Sequence, residues 1–260
     1  MLLKDRVAIV SGGAKGIGRG IALKFAQEGC NVVVNALHIE GAKKVADEVK
    51  ALGRKSIAIA ADVSKSAEVN VMVARTIKEF GKIDILVNNA GGVSGDAKLE
   101  ETTEEAWDRV IDVNLKGQFL CCKAVVPYMK KKKYGKIINV SSMGAIHPPA
   151  PIVHYHSAKG GVLGLTTNLA FELAPFNITV NAILPGPIRT EFFTEMFKGK
   201  TKEEAKAFFK MLENKVPMHR MGEPEEIAGV ALFLASDLSS YVTGEAINAG
   251  GGLPLEPQQR

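Results

Sequence analysis

Val7-Ala8-Ile9-Val10 runs straight into Ser11-Gly12-Gly13-Ala14-Lys15-Gly16-Ile17-Gly18, and from Ile17 to Gln27 apolar residues recur at helical spacing. A short run that is apolar on both faces reads as a strand covered on both sides, as in a parallel sheet. Glycines allow a tight turn and let a pyrophosphate approach the backbone N–H groups at a helix N-terminus. The spacing is Gly-x3-Gly-x-Gly, not the Gly-x-Gly-x2-Gly of the usual dinucleotide fingerprint. Its place after the first strand and before the first helix predicts a phosphate-binding turn.

The alternation continues from end to end. Val32-Val33-Val34, Ile57 to Ala60, Ile85-Leu86-Val87, Ile137 to Val140, Ile178 to Ile183 and Ala246-Ile247 read as strands. Between them, Glu40 to Leu52, Ala67 to Phe80, Glu104 to about Lys133, Tyr155 to Leu173 and Glu225 to Ala235 have helical period. The expected fold is α/β: a Rossmann-like doubly wound parallel sheet of about seven strands with helices on both faces. No repeat or Pro/Gly/Ser-rich linker divides residues 1–260, so a single domain is expected. An insertion at about 187–222, rich in Phe and Met, follows a strand end directly. It reads either as a pair of amphipathic helices packed on the body or, the preferred reading because it follows a strand end, as a substrate lid over the C-terminal edge of the sheet.

Composition sets the outer limits. With 46% hydrophobic and 23% charged residues among 260, the chain can bury a sizeable core without metal or disulfide. No apolar run approaches the roughly 20 residues needed to span a bilayer. The opening Met1 to Arg6 is charged where a signal peptide would be apolar, so a cytoplasmic location is expected. Cys30 is isolated, and adjacent Cys121 and Cys122 suit neither an ordinary disulfide nor a zinc site. The histidines lack carboxylate partners at ligand spacing, so no metal is expected. A formal charge of +5 raises nucleic-acid binding, but the lysines are scattered and aromatics are only 6%. No nucleic-acid or membrane partner is expected.

Further landmarks fall in a fixed order: Asp62 after the third strand, Asn88-Asn89-Ala90-Gly91 after the fourth, Asp112-Val113-Asn114, Ser142, Tyr155-x3-Lys159, and Pro185-Gly186 after the sixth. On these motifs and the glycine turn, the chain resembles the short-chain dehydrogenases/reductases, in their single-domain branch of about 250 residues, over nearly its whole length. Ser11 stands where the family pattern has Thr. The resemblance implies a catalytic set of Asn114, Ser142, Tyr155 and Lys159. It implies cofactor contacts from Ser11, Gly12, Lys15, Gly16, Ile17, Gly18, His38, Asp62, Val63, Asn89, Ala90, Gly91, Tyr155, Lys159, Pro185, Gly186, Ile188 and Thr190. In that set Asp62 meets the adenine, Thr190 the nicotinamide amide, and Asn114 a water chain from the lysine. A homotetramer is the assembly the resemblance implies, and Ala158, Gly160, Gly161 and Gly164 would allow close helix contact.

The chemistry of the residues agrees. Tyr155 and Lys159 lie four apart, on one helix face. A free tyrosine titrates near 10 and is a poor base at neutrality. An ammonium about 5 Å away, at an effective dielectric of about 20, is worth roughly 3 kcal/mol and is expected to lower the phenol by about two pKa units. Of adjacent Ser141 and Ser142 only one should point into the site, because side chains alternate along a strand; the resemblance implies Ser142, which would hold and polarise a carbonyl. The expected reaction is hydride transfer between a nicotinamide dinucleotide and a secondary alcohol or ketone, such as a 3-oxoacyl, cyclic or other hydrophobic carbonyl compound. The alternative is a catalytically silent dinucleotide-binding subunit or sensor. Ala36 stands where an NAD-preferring relative carries an acid, and Lys15 and His38 could meet a 2′-phosphate. NADP(H) is therefore favoured, with NAD(H) as the alternative. His147, His154, His156, Arg189 and Lys198 are candidates to meet an anionic or acylated substrate.

Overall fold

The structure is a computed structural model that describes residues 1–93, 98–191 and 201–253. Seven parallel strands form one sheet: β1 (Val7–Val10), β2 (Asn31–Ala36), β3 (Ser56–Ala60), β4 (Ile85–Asn88), β5 (Gly135–Val140), β6 (Ile178–Pro185) and β7 (Ala246–Ala249). Their order is β3-β2-β1-β4-β5-β6-β7. The helices are α1 (Gly16–Gln27), α2 (Ile39–Ala51), α3 (Ser66–Phe80), α4 (Glu104–Ile111), α5 (Gly117–Lys132), α6 (Val153–Leu173), α7 (Lys202–Lys215) and α8 (Pro224–Ala235).

The Val- and Ile-rich strands are buried on both faces because helices cover both. Ala8, Val10, Val32 and Val34 pack with Ile21 and Phe25 of α1, Val45 of α2 and Ile227 of α8. Their neighbours Ile9, Val33, Leu86 and Ile137 pack on the other side with Met72 of α3, Val125 and Met129 of α5, and Leu173 of α6. The chain reverses its winding between β1 and β4, which leaves a crevice at their C-terminal ends. Ser11 follows β1 there, and Asn89 follows β4.

One expectation needs correction. The stretch from Glu104 to Lys133 is not one regular helix: a π turn over Asp112–Lys116 separates α4 from α5. Gly117 N–H donates to the Asp112 carbonyl, one residue further back than in an α-helix. The wide turn lets the Asn114 amide donate both to Val110 O, at 2.9 Å, and across to Gly92 O, at 2.8 Å. Of the insertion, α7 is described. Phe192, Phe193, Met196, Phe197 and Lys198 lie outside the described residues. A parallel bridge between Ile188 and Gly222 closes the neck of the insertion.

Candidate active site

The glycine turn and the Asn-Asn-Ala-Gly segment lock together through side chains. Ser11 Oγ accepts from the N–H groups of Asn89 (3.0 Å) and Ala90 (3.1 Å) and donates to Val87 O. The Asn89 amide donates to the carbonyls of Ser11 and Gly12. Gly12 has φ +61°, and a Cβ on Gly18 would lie 2.2 Å from Gly12 O. Gly16 faces Thr190, whose Cγ2 would be 3.1 Å from a Cβ at that glycine. The N-terminus of α1 has no side-chain cap and no acid in its first turn. A bare helix N-terminus beneath a glycine arch is a fitting cradle for a dinucleotide pyrophosphate.

Asp62 is tied into a local turn, its Oδ1 accepting from Ser64 N–H and Ser64 Oγ–H. Val63 is buried against Gly117. Exposed His38 occupies the N-cap position of α2, and exposed Lys15 that of α1. Pro185 ends β6, Gly186 packs against Gly250, and Ile188 is buried. No group of three or more His, Cys, Asp or Glu residues that could hold a metal occurs among the described residues. The three thiols are buried and unpaired, with that of Cys122 pushed up to about 12 by desolvation.

The catalytic candidates converge beside this crevice. Lys159 is 3% exposed, and its Nζ donates to Val140 O at 3.0 Å. A Cβ on Gly91 would lie 3.2 Å from that Nζ and 2.5 Å from Asn114 Oδ1, so the three residues border one small space. Ser142 follows β5; its Oγ accepts from Gly144 N–H and pairs with the phenol of Tyr155. Ser141, facing the other way, spends its hydroxyl on Lys159 O at 2.8 Å. The two serines thus divide the work: Ser141 holds the backbone of α6, and Ser142 meets its tyrosine.

The electrostatics depart from the expectation of a phenol lowered by its lysine. Burial pushes the Tyr155 phenol up, and the Ser142 hydrogen bond only partly opposes this. Lys159, 5.5 Å from the ring centroid, is itself brought down to about 8 by burial. In this water-poor setting desolvation outweighs the attraction across the ring.

Several substrate candidates are placed elsewhere. Arg189 is paired with Glu213 at 2.5 Å and Glu223 at 3.3 Å, which fastens α7 to the base of the insertion. His154 is buried, with Nδ1 accepting from Tyr155 N–H. His147 is exposed. Among the described candidates, His156 lies against the serine loop. The small residues of α6 also serve differently than expected. Ala158 is in the core and Gly161 accommodates Leu115 of the π turn, whereas Gly164 opens outward.

One residue escaped the sequence reading. Gln118, 2% exposed, donates from Nε2 to Val140 O at 3.2 Å, the carbonyl that also receives Lys159. Its sequence signal is faint: a polar residue four after Asn114, on a helix face otherwise lined by apolar side chains.

A family model described as enoyl-(acyl carrier protein) reductase matches residues 12–254. The chain is 42% identical to a 3-oxoacyl-(acyl-carrier-protein) reductase FabG of Thermotoga maritima, over 98% of this chain and 100% of the relative. It is 41% identical to the BbsD subunit of a hydroxy(phenyl)methylsuccinyl-CoA dehydrogenase of Thauera aromatica, over 98% and 99%. Levodione reductase superposes with a TM-score of 0.90 at 34% identity, over 96% of this chain and 98% of that one. A short-chain type dehydrogenase/reductase from Mycobacterium marinum gives 0.89 at 37%, over 97% and 96%. Agreement of this breadth makes the chain a member of the short-chain dehydrogenase/reductase family, an NAD(P)-dependent oxidoreductase that moves a hydride between a nicotinamide dinucleotide and a CH–OH/C=O carbon.

Proposed function

We propose that the enzyme reduces the 3-oxo group of an acyl thioester, with NADPH as its preferred hydride donor. The observation that carries the chemistry is the meeting of Ser142, Tyr155 and Lys159 beside the glycine crevice, with Asn114 behind them. The substrate class rests on relatives named for acyl-carrier-protein and coenzyme A thioesters.

In this reading the turn from Ser11 to Gly18 would hold the pyrophosphate, and Asp62 and Val63 would meet the adenine. Asn89, Ala90 and Gly91 wall the crevice, and Pro185, Gly186, Ile188 and Thr190 receive the nicotinamide end. When bound, the dinucleotide supplies the hydride at nicotinamide C4. Ser142 Oγ–H donates to the substrate carbonyl oxygen and fixes it against Tyr155. The Tyr155 hydroxyl delivers the proton as that oxygen becomes an alcohol. Lys159 would hold the ribose of the bound dinucleotide, and its charge favours release of the tyrosine proton. Asn114 connects Lys159 to solvent through water.

The preference for NADPH is supported at the end of β2. Asn35 turns its amide inward to the carbonyls of Ile59 and Ala61, and Ala36 follows. No carboxylate stands there to engage a ribose 2′-hydroxyl, while exposed Lys15 and His38 occupy the N-cap positions of α1 and α2. Residues 187–222 act as the lid, a reading supported by their place directly after β6 at the C-terminal edge of the sheet. The assembly is a homotetramer, supported by exposed Trp107, Phe119 and Phe171 on α4, α5 and α6. A cytoplasmic place suits three unpaired, buried thiols.

The test is direct. Purified enzyme with acetoacetyl-CoA should consume NADPH with at least about tenfold higher kcat/KM than NADH, a difference of about 1.4 kcal/mol. A reversed preference overturns the cofactor choice. Absence of thioester turnover alongside reduction of simple ketones overturns the substrate class.

A further inference from the structure

The residue after Tyr155 packs against the loop that carries Ser142. His156 packs its ring edge-to-face on Tyr155, with centroids 5.7 Å apart and planes at 63°. Its far edge rests on Gly144. A Cβ at that glycine would lie 2.6 Å from His156 Nε2, 2.5 Å from its Cδ2 and 3.4 Å from Ser142 Oγ. The imidazole and the serine hydroxyl therefore flank a single missing side chain. Burial, together with neighbouring His154, holds the imidazole below its ordinary pKa, so at neutrality it carries one donor and one acceptor. His156 is half-exposed, and no hydrogen bond ties its ring to the protein among the described residues.

We propose that His156 is a specificity-determining residue that donates a hydrogen bond to a second carbonyl of the substrate, two carbons from the one being reduced. This deepens the thioester reading and rests on it. In a 3-oxoacyl thioester the two oxygens are separated by a three-carbon span. A group recognising the thioester oxygen must therefore stand close to Ser142 without displacing it. A simple ketone has no oxygen for this donor.

Two variants test the idea from opposite sides. His156→Leu removes the donor. Gly144→Ala keeps the histidine but drives a methyl into the space its ring occupies. Each should raise KM for acetoacetyl-CoA about tenfold, the worth of roughly one buried hydrogen bond, while kcat changes by a smaller factor. His156→Gln, which restores a donor, should recover most of the KM. The proposal is overturned by an unchanged KM in both variants, by a loss confined to kcat, or by failure of glutamine to rescue. Should wild-type enzyme reduce simple ketones but not acetoacetyl-CoA, the substrate class falls first and this role with it. Normal wild-type turnover with indifferent variants removes this role alone.

Discussion

Lys159 holds an amine that folding has brought from an ordinary 10.5 to about 8 by burial alone. Below about pH 8 the ammonium is charged in both folded and unfolded chains, and the folded state bears the whole desolvation penalty. Between 8 and 10.5 the penalty fades, and above 10.5 it is gone. One pKa unit corresponds to about 1.36 kcal/mol, so the penalty at neutrality is about 3 kcal/mol. Lys159→Met should therefore be more stable than wild type in urea unfolding at pH 7, by about 2 kcal/mol after the lost bond to Val140 O is discounted. It should lose that advantage near pH 10.5, and turnover with it at every pH. A variant no more stable than wild type at pH 7 would show the amine to be better solvated than its burial implies. Tyr155→Phe belongs beside it. Removing the proton donor should lower kcat by about two to four orders of magnitude, with NADPH affinity retained in titration calorimetry.

At the level of elements, two ends of the sheet do different work. The C-terminal end carries the crevice, whose shape depends on backbone meeting backbone. Gly18→Ala would force a methyl into Gly12 O, so the turn must open. We expect a stability loss of about 1–3 kcal/mol and a dissociation constant for NADPH at least about tenfold higher, measured by calorimetry. The N-terminal end is held by charge. Asp84, 1% exposed, accepts from Val7 N–H at 2.8 Å and is paired with Lys82, Lys132 and, at 3.9 Å, Arg6. Although burial alone raises it, these partners together bring its carboxyl below the ordinary 3.8. Its stabilisation is present above that value and lost as acid takes the pH through the lower folded one. Asp84→Ala should cost about 3 kcal/mol in urea unfolding at pH 7, and the gap should close in strong acid. A gap that persists there would assign the loss to packing.

On the scale of the whole molecule, exposed aromatic side chains on α4 to α6 argue for association. Phe171, 89% exposed, is the most exposed of these. Light scattering should give a tetramer for wild type and a smaller species for Phe171→Glu; a wild-type monomer would refute the assembly. Much of the molecule was legible beforehand, and unevenly so. Val7 to Val10, Val32 to Val34 and Ile137 to Val140 announced themselves because a strand buried on both faces has to be continuously apolar. Tyr155 and Lys159 were legible because four residues make one helical turn. The π turn was not, because it arises where Asn114 reaches across to Gly92, twenty-two residues away. Gln118 was equally hidden, since its partner Val140 lies on another element.

What the sequence by itself determined is the periodic part of this protein: which segments are strands and helices, their winding into one sheet, and the order of the motifs around a dinucleotide crevice. These follow from local geometry, in which side chains repeat every two or every 3.6 residues. Only the tertiary structure decided the charges and the neighbours. It set Tyr155 high rather than low, tied Arg189 to Glu213 and Glu223, turned Gly161 inward, and laid His156 on Gly144. Desolvation and close contact depend on residues distant in sequence meeting in space, and no local spacing encodes that meeting.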